Sequence, residues 1–331
     1  MSPQFVDFDA DGRLDIVAGI FDGSPHLVRG TAQGWAAPEQ ILDSEGDRIV
    51  LNAFWDFDKK QWDETHLYDA PGHEGKAHMT SAVAFDWDGD GDLDLLLGDH
   101  NSGRVFRRMN EGTAASPQFS LENEVVEAAG KPIDVPGTVA TLRVVDWNGD
   151  GRLDLACGGM GDAYNVDVGG GVYVYLNQGT PEAPRFAAPL TLLERSKKEA
   201  HEPTRPDSGL YMDFGDVDGD GDLDLLVGGY SHWKARARAL SKEESARVPE
   251  LQAQIDANNA AKTPLYEQRA AATAAQDAEA LARLKAQISA LNKEGQELAA
   301  ALDALIPRAK REPFVWLYIN EGARTGAATA R

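Results

Sequence analysis

One nine-residue pattern recurs four times in this chain and limits what it can fold into. The copies are Asp7-Phe-Asp-Ala-Asp-Gly-Arg-Leu-Asp15, Asp86-Trp-Asp-Gly-Asp-Gly-Asp-Leu-Asp94, Asp146-Trp-Asn-Gly-Asp-Gly-Arg-Leu-Asp154 and Asp216-Val-Asp-Gly-Asp-Gly-Asp-Leu-Asp224. Each runs into a short apolar stretch closed by glycine: Ile16-Val-Ala-Gly19, Leu95-Leu-Leu-Gly98, Leu155-Ala-Cys-Gly158 and Leu225-Leu-Val-Gly228. A recurrence of this kind is the mark of a repeat architecture.

A second signature follows at variable distance: Val105-Phe-Arg-Arg-Met-Asn-Glu-Gly112, Val172-Tyr-Val-Tyr-Leu-Asn-Gln-Gly179 and Val315-Trp-Leu-Tyr-Ile-Asn-Glu-Gly322. Alternation ending in Asn-x-Gly reads as a strand closing in a turn. Pro117-Gln-Phe119 and Pro184-Arg-Phe186 then open a further strand. Each unit is therefore expected to be a four-stranded antiparallel meander. One such sheet cannot bury both faces alone, and radial repetition into a β-propeller supplies the neighbours. The expected fold is all-β, a β-propeller of four-stranded blades with four blades visible.

Carboxylates at alternate positions of a tight turn aim their oxygens at one centre, and calcium takes six to eight hard oxygens. The pattern assigns Asp7, Asp9, Asp11 and Asp15, then Asp86, Asp88, Asp90 and Asp94, then Asp146, Asn148, Asp150 and Asp154, then Asp216, Asp218, Asp220 and Asp224 as side-chain ligands. Arg13, Asp92, Arg152 and Asp222 are expected to contribute backbone carbonyls. Without metal, carboxylates about 5 Å apart repel by roughly 3 kcal/mol per pair at an effective dielectric near 20. About four calcium ions would thus be part of the fold, held more weakly in the third loop by Asn148. An EF-hand is excluded, because position 12 is Ala18, Leu97, Cys157 and Val227 where a bidentate Glu is needed. Asp56-Phe-Asp-Lys-Lys-Gln-Trp-Asp-Glu64 is a degenerate copy, expected to hold no calcium because Lys60 stands at a ligand position.

The loops and the Asn-x-Gly strands resemble FG-GAP/VCBS repeats, the family that includes the integrin α-subunit propeller. The resemblance covers about three quarters of the chain. It implies a calcium-bound propeller, usually extracellular or periplasmic and often used for recognition.

Composition agrees with this reading. The net charge of −22 argues against nucleic acid or an anionic membrane as partner. Of 54 acidic residues, seventeen sit in the four loops (four, five, three and five), which points to metal ligation more than to a solvated acidic tail. One cysteine, Cys157, allows no intrachain disulfide and reads as a core residue. No stretch is apolar enough to cross a membrane. No signal peptide precedes Met1-Ser2-Pro3, so the expectation is a removed leader or a chain that is part of something longer, placed in the periplasm, at the cell surface or in the medium.

Residues 236–311 break the β pattern and favour helix. Leu281, Leu284, Ile288, Leu291, Leu298, Leu302 and Leu305 form a heptad stripe interrupted at Gly295, and Val248, Leu251 and Ile255 form a shorter one. The expectation is a helical hairpin inserted in the fourth blade, turning near Pro264, with oligomerisation through residues 240–310 as one role. A second insertion covers about residues 52–80. Both insertions are expected on the propeller face opposite the loops. The histidines follow: His26, His100 and His232 in connections between second and third strands, His66, His73, His78 and His201 in connections between blades. With Trp55, Trp62, Tyr68, Tyr230 and Trp233 they suggest a ligand face. Trp87 and Trp147 read as packing between blades.

No phosphate loop, nucleophile elbow or cysteine pair is present. The leading expectation is a non-enzymatic module that binds a protein or glycan. The rivals are a propeller-fold polysaccharide lyase or hydrolase, and an assembly subunit joined through the hairpin. Ring closure stays open, since the fourth blade lacks an obvious fourth strand; a larger ring or a partner strand would complete it.

Overall fold

The computed structural model describes residues 3–51, 53–63, 79–100, 102–161, 169–196 and 200–322. The chain divides into two compact units, one holding the β-sheets and one made of Ala200–Glu202 and Trp233–Lys310.

Four antiparallel sheets follow one another in the first unit, each with its strands in chain order. The first contains Gln4–Val6, Asp15–Gly19, Pro25–Val28 and Glu39–Gln40. The second contains Met79–Phe85, Asp94–Asp99, Val105–Arg108 and Glu124–Val125. The third contains Thr141–Val145, Asp154–Gly158, Val172–Tyr175 and Leu190–Leu193. The fourth has three strands, Ser208–Gly215, Asp224–Trp233 and Lys310–Tyr318. The meander is thus as expected, including the incomplete fourth sheet. A ring closed between the fourth and first sheets is not present among the described residues.

The strands explain themselves by period. Side chains alternate between faces along a strand, and in the second sheet both faces are covered. Ala82, Ala84, Leu95, Leu97 and Phe106 join Val17, Leu27 and Phe8 of the first sheet in one core. Val83, Phe85, Leu96 and Val105 join Leu142, Leu155, Cys157 and Tyr173 of the third sheet in another. A third core joins Val172 and Leu193 to Leu210, Met212, Leu225 and Val227 of the fourth. Each sheet therefore has a leading face toward the preceding sheet and a trailing face toward the next. Double burial is why the strands after the loops read as unbroken apolar runs, each such side chain contributing about 1.5–3 kcal/mol.

The glycines that end the runs in the second and third sheets have a packing reason. A Cβ on Gly98 would lie 2.0 Å from the carbonyl oxygen of Ala140, and one on Gly158 would lie 2.6 Å from that of Leu210. Both contacts are with the first strand of the next sheet or the residue leading into it, so the glycines let successive inner strands close up. Gln4 adds a polar tie, its side-chain amide exchanging two hydrogen bonds with the backbone of Ala84 at 2.9 and 2.6 Å.

Connections between second and third strands meet the connections that enter the next sheet. Val139 N–H donates to His100 O at 2.8 Å, Gly170 N–H to Asp207 O at 2.7 Å and Trp55 N–H to Asp22 O at 2.9 Å. These connections share one end of the sheets, and the acidic loops occupy the other. Phe54–Asp56 and Gln61–Asp63 form a hairpin in the second insertion, in which Lys59 pairs with Asp56 at 2.9 Å. A cation thus occupies the degenerate copy of the acidic pattern.

In the second unit, α1 (Lys242–Ala274) and α2 (Ala278–Leu305) form a helical hairpin. Ser241 and Glu244 cap the start of α1 reciprocally, and Asp277 caps α2. Leu251, Leu284, Ile288 and Leu302 are buried, as the leucine stripes require. The turn differs from the expectation. It lies at residues 275–277, and Pro264 and Pro249 are inside α1. An interior proline costs about 3 kcal/mol, which this long packed helix tolerates. Gln276 takes the left-handed conformation and Asp277 supplies the cap, so the chain reverses there instead. Gly295 interrupts the stripe because it faces the buried Asn258, whose Oδ1 would lie 2.8 Å from a Cβ at that site.

The glycines yield a controlled prediction. Gly98→Ala and Gly158→Ala should each destabilise by roughly 2–3 kcal/mol or more through overpacking against backbone. Gly228→Ala should be near neutral, because the nearest atom to its Cβ is Tyr211 O at 3.9 Å. Urea denaturation of the three variants checks this, and equal losses would contradict the packing account.

Candidate metal centres

Each acidic loop is built around its first and ninth residues. The first carboxylate accepts the loop's own amides. Asp7 takes the N–H groups of Asp11 and Gly12, both at 3.0 Å, and Asp86 takes those of Gly89 and Gly91 at 2.7 and 3.1 Å. Asp146 takes Asp150 and Gly151 at 3.0 and 2.9 Å, and Asp216 takes Gly219 and Gly221 at 2.7 and 3.1 Å. The glycines at positive φ, such as Gly91 (92°) and Gly221 (93°), allow the chain to wrap the carboxylate this tightly.

The ninth aspartate is buried in all four loops. One oxygen accepts from the second residue of its own loop: Phe8 at 3.0 Å to Asp15, Trp87 at 2.9 Å to Asp94, Trp147 at 3.1 Å to Asp154 and Val217 at 2.8 Å to Asp224. The other accepts from the residue just past the third strand: Gly30, Asn110 and Asn177 at 2.7 Å, Asn320 at 2.8 Å. The asparagine of each Asn-x-Gly signature then accepts the amide of its own glycine, with Asn110 Oδ1 bound to Gly112 N–H at 3.0 Å. Sequence reasoning assigned the ninth aspartate to metal and the asparagine to a turn. It missed that the two are hydrogen-bonded partners; their joint recurrence was the available signal.

The remaining acids differ among loops. Oxygens of Asp7, Asp9 and Asp15 lie within 4.8 Å of one another, as do those of Asp86, Asp88 and Asp90, and those of Asp216, Asp218 and Asp224. In the first loop Arg29 pairs with Asp9 and Arg13 with Asp11. In the third loop Arg152 pairs with Asp150 and also donates to Asn177 O at 2.8 Å. Among the described residues no cation pairs with the acids of the second and fourth loops. Arg13 and Arg152, expected to matter only through their carbonyls, thus use their side chains to neutralise neighbouring acids.

Uncompensated charge shows in the protonation equilibria. Burial raises Asp92 to about 6, and the charges of Asp90, Asp88 and Asp86 add to the effect. Burial also raises Asp94 to about 6, against the amide bonds from Asn110 and Trp87. Asp154 and Asp218 are raised as well, desolvation again leading. Asp150 goes the other way: burial raises it, but the amide of Arg152, Asn148 and the Arg152 charge together hold it below the usual carboxylate range. Asp92 Oδ1 and Asp9 Oδ1 are buried with no hydrogen-bond partner. Hard oxygens in trios, with an orphaned oxygen of Asp9 in the first loop's trio and one of Asp92 in the second loop, are a donor set that suits a calcium-like cation.

The histidine expectation is corrected in part. His26 lies within the strand Pro25–Val28, its imidazole Nε2 3.0 Å from Asp22, and His232 lies within Asp224–Trp233, its backbone N–H donating to Asp207 at 3.0 Å. Both are strand residues; Asp22 satisfies the His26 ring there, and the strand that holds His232 runs on past Gly228 to Trp233. His100 follows Asp94–Asp99 in a connection as expected. His201 and Trp233 belong to the helical unit, where His201 Nδ1 is 3.0 Å from Lys234 O and Lys310 lies 5.1 Å from the Trp233 ring. His66, His73 and His78 lie outside the described residues. Trp87 and Trp147 pack against Phe186 and Phe214 of the following sheets at 5.9 and 5.5 Å between ring centroids.

The raised carboxylates fix a pH dependence for the metal-free protein. Asp92 and Asp94 have folded values above the unfolded value near 3.9. The stability they contribute is complete below about pH 4 and is lost as pH rises through about 6. Chemical denaturation in EDTA across that range should show this loss, and Asp92→Asn should flatten it; identical slopes for the two proteins would contradict the assignment.

Comparison with known families matches the one described as FG-GAP-like repeat, at residues 86–157 and again at 146–227. No curated protein matches the chain. The two matches begin at the second and third acidic loops, and the second runs through the fourth loop and its strand. On that ground, the chain carries FG-GAP-like repeats over residues 86–227.

Proposed function

We propose that this chain is a calcium-stabilised, propeller-like binding module that works outside the cytosol on a protein or glycan ligand. The observation that carries the calcium reading is the pairing of acid trios within 4.8 Å with buried, partnerless oxygens at Asp9 and Asp92. Bound calcium supplies positive charge to these oxygens and cross-links the turn. Asp86, Asp88 and Asp90 would hold it in the second loop, and Asp216, Asp218 and Asp224 in the fourth. The first and third loops, already partly neutralised by Arg13, Arg29 and Arg152, would hold it more weakly. Extracellular calcium modules work with dissociation constants of roughly 10⁻⁴–10⁻³ M, which suits turns that carry arginine beside their acids. The resemblance to recognition propellers and the absence from the sequence of nucleophile and phosphate-binding motifs favour binding over catalysis.

Calorimetric titration and thermal unfolding test this. A site filled to 100 times its dissociation constant adds about 2.7 kcal/mol, so calcium should raise the midpoint and EDTA should lower it. Asp88→Ala and Asp218→Ala should each remove one of the tighter sites, while Asn148→Ala should cost less. A midpoint indifferent to both calcium and EDTA would sink the reading.

A further inference from the structure

We propose that the leading face of the first sheet is an interface for the trailing face of the fourth sheet of a second copy of this chain. The argument rests on register. Phe5 pairs with Ile16 in the first sheet as Ala84 pairs with Leu95, Val144 with Leu155 and Phe214 with Leu225 in the others. In the second, third and fourth sheets those positions pack against the preceding sheet. In the first sheet the same positions hold Phe5, Ile16 and Ala18, apolar residues that no other sheet among the described residues covers. Phe5 is 60 % exposed, and its ring packs at a tilt, 6.1 Å between centroids, against Trp35, itself 54 % exposed. Leu14 is 58 % exposed beside them. Together they line a hollow of about 470 Å³.

The fourth sheet presents the complementary half. The second residue of each acidic loop packs forward: Phe8 on Phe119 at 6.3 Å, Trp87 on Phe186 at 5.9 Å, Trp147 on Phe214 at 5.5 Å. Val217 holds that position in the fourth loop and is 61 % exposed. Leu226 alternates with Leu225 and Val227, which face the third sheet, so it lies on the trailing face, 42 % exposed. Val315 alternates with Trp316 and lies on the side opposite Tyr318, which packs toward the third sheet; it is 69 % exposed. The terminal glycine agrees. Gly98 and Gly158 are pressed by the next sheet, while Gly228 meets only its own sheet at 3.9 Å.

Three sheet-to-sheet cores thus repeat one trailing-on-leading contact, and the two outer faces are the unmatched halves of a fourth. An exposed apolar face of this kind marks an association surface. The partner that fits is a sheet of the same repeat, and a second copy supplies it head to tail. Such a contact is heterologous: one copy uses its first sheet and the other its fourth. The net charge of −22 on each copy opposes the approach at low salt.

Sedimentation or light scattering on the 331-residue chain with calcium, in about 0.15 M salt where charge is screened beyond about 8 Å, tests the proposal. The wild-type chain should associate with increasing concentration. Phe5→Asp, and separately Val315→Asp, should each raise the dissociation constant at least about tenfold, the loss of one buried apolar side chain. Both residues are exposed, and circular dichroism verifies that the variants fold. Mixing the two variants should restore a two-copy complex, because each retains the face the other lacks. A wild-type chain that stays monomeric at about 100 times the concentration typical of micromolar association overturns the proposal. So does association that the mixture fails to restore, since that would mean first sheet on first sheet or unspecific contact.

Discussion

The structure depends on one buried carboxylate per sheet. The ninth aspartate of each acidic loop lies out of water and holds two backbone amides, one from its own loop and one from the far end of the third strand. Hydrogen bonds to a charged group contribute roughly 1.5–3 kcal/mol each, and an unpaired buried carboxylate costs far more. The loop and the third strand are therefore fixed relative to one another before any ion is considered. A turn that would otherwise be a flexible surface connection is anchored to the core through this one residue, and the strands that flank it inherit their register.

This arrangement divides the labour among the loop acids. The ninth residue clamps the loop to the third strand and the first organises the turn, yet each also lends oxygens to the acid trios, where the third and fifth face a cation or an arginine. Where arginine is present, as in the first and third loops, it answers the negative charge internally. Where it is absent, as in the second and fourth, the acids stay uncompensated, and Asp92 and Asp94 are pushed up to about 6. Four copies of one pattern thus differ in electrostatics while agreeing in geometry.

Much of this was legible in the sequence because it is periodic. The loops, the apolar runs and the Asn-x-Gly strand ends give the meander, its order and the missing fourth strand of the last sheet. What could not be read depends on contacts between distant residues. The bond between Asp94 and the Asn110 amide joins two separately recognisable motifs, and only their joint recurrence hints at it. Arg29 reaching Asp9 is likewise a tertiary fact. The hairpin turn was misplaced because Pro264 is a strong local signal, and tertiary packing of a long helix overrode it. His26 was misplaced because the sequence does not show that Asp22 meets its imidazole, and His232 because the strand that opens at Asp224 runs on past Gly228 to Trp233.

The most direct measurement of the central claim is hydrogen exchange at single amides, with calcium and after EDTA. If the ninth aspartate is the clamp, the amides of Asn110, Asn177 and Asn320 exchange slowly in both conditions, while those of Gly91 and Gly221 lose protection when metal is removed. Clamp amides that exchange as fast as the loop glycines after EDTA would show that the ion, and not the buried carboxylate, holds each sheet together.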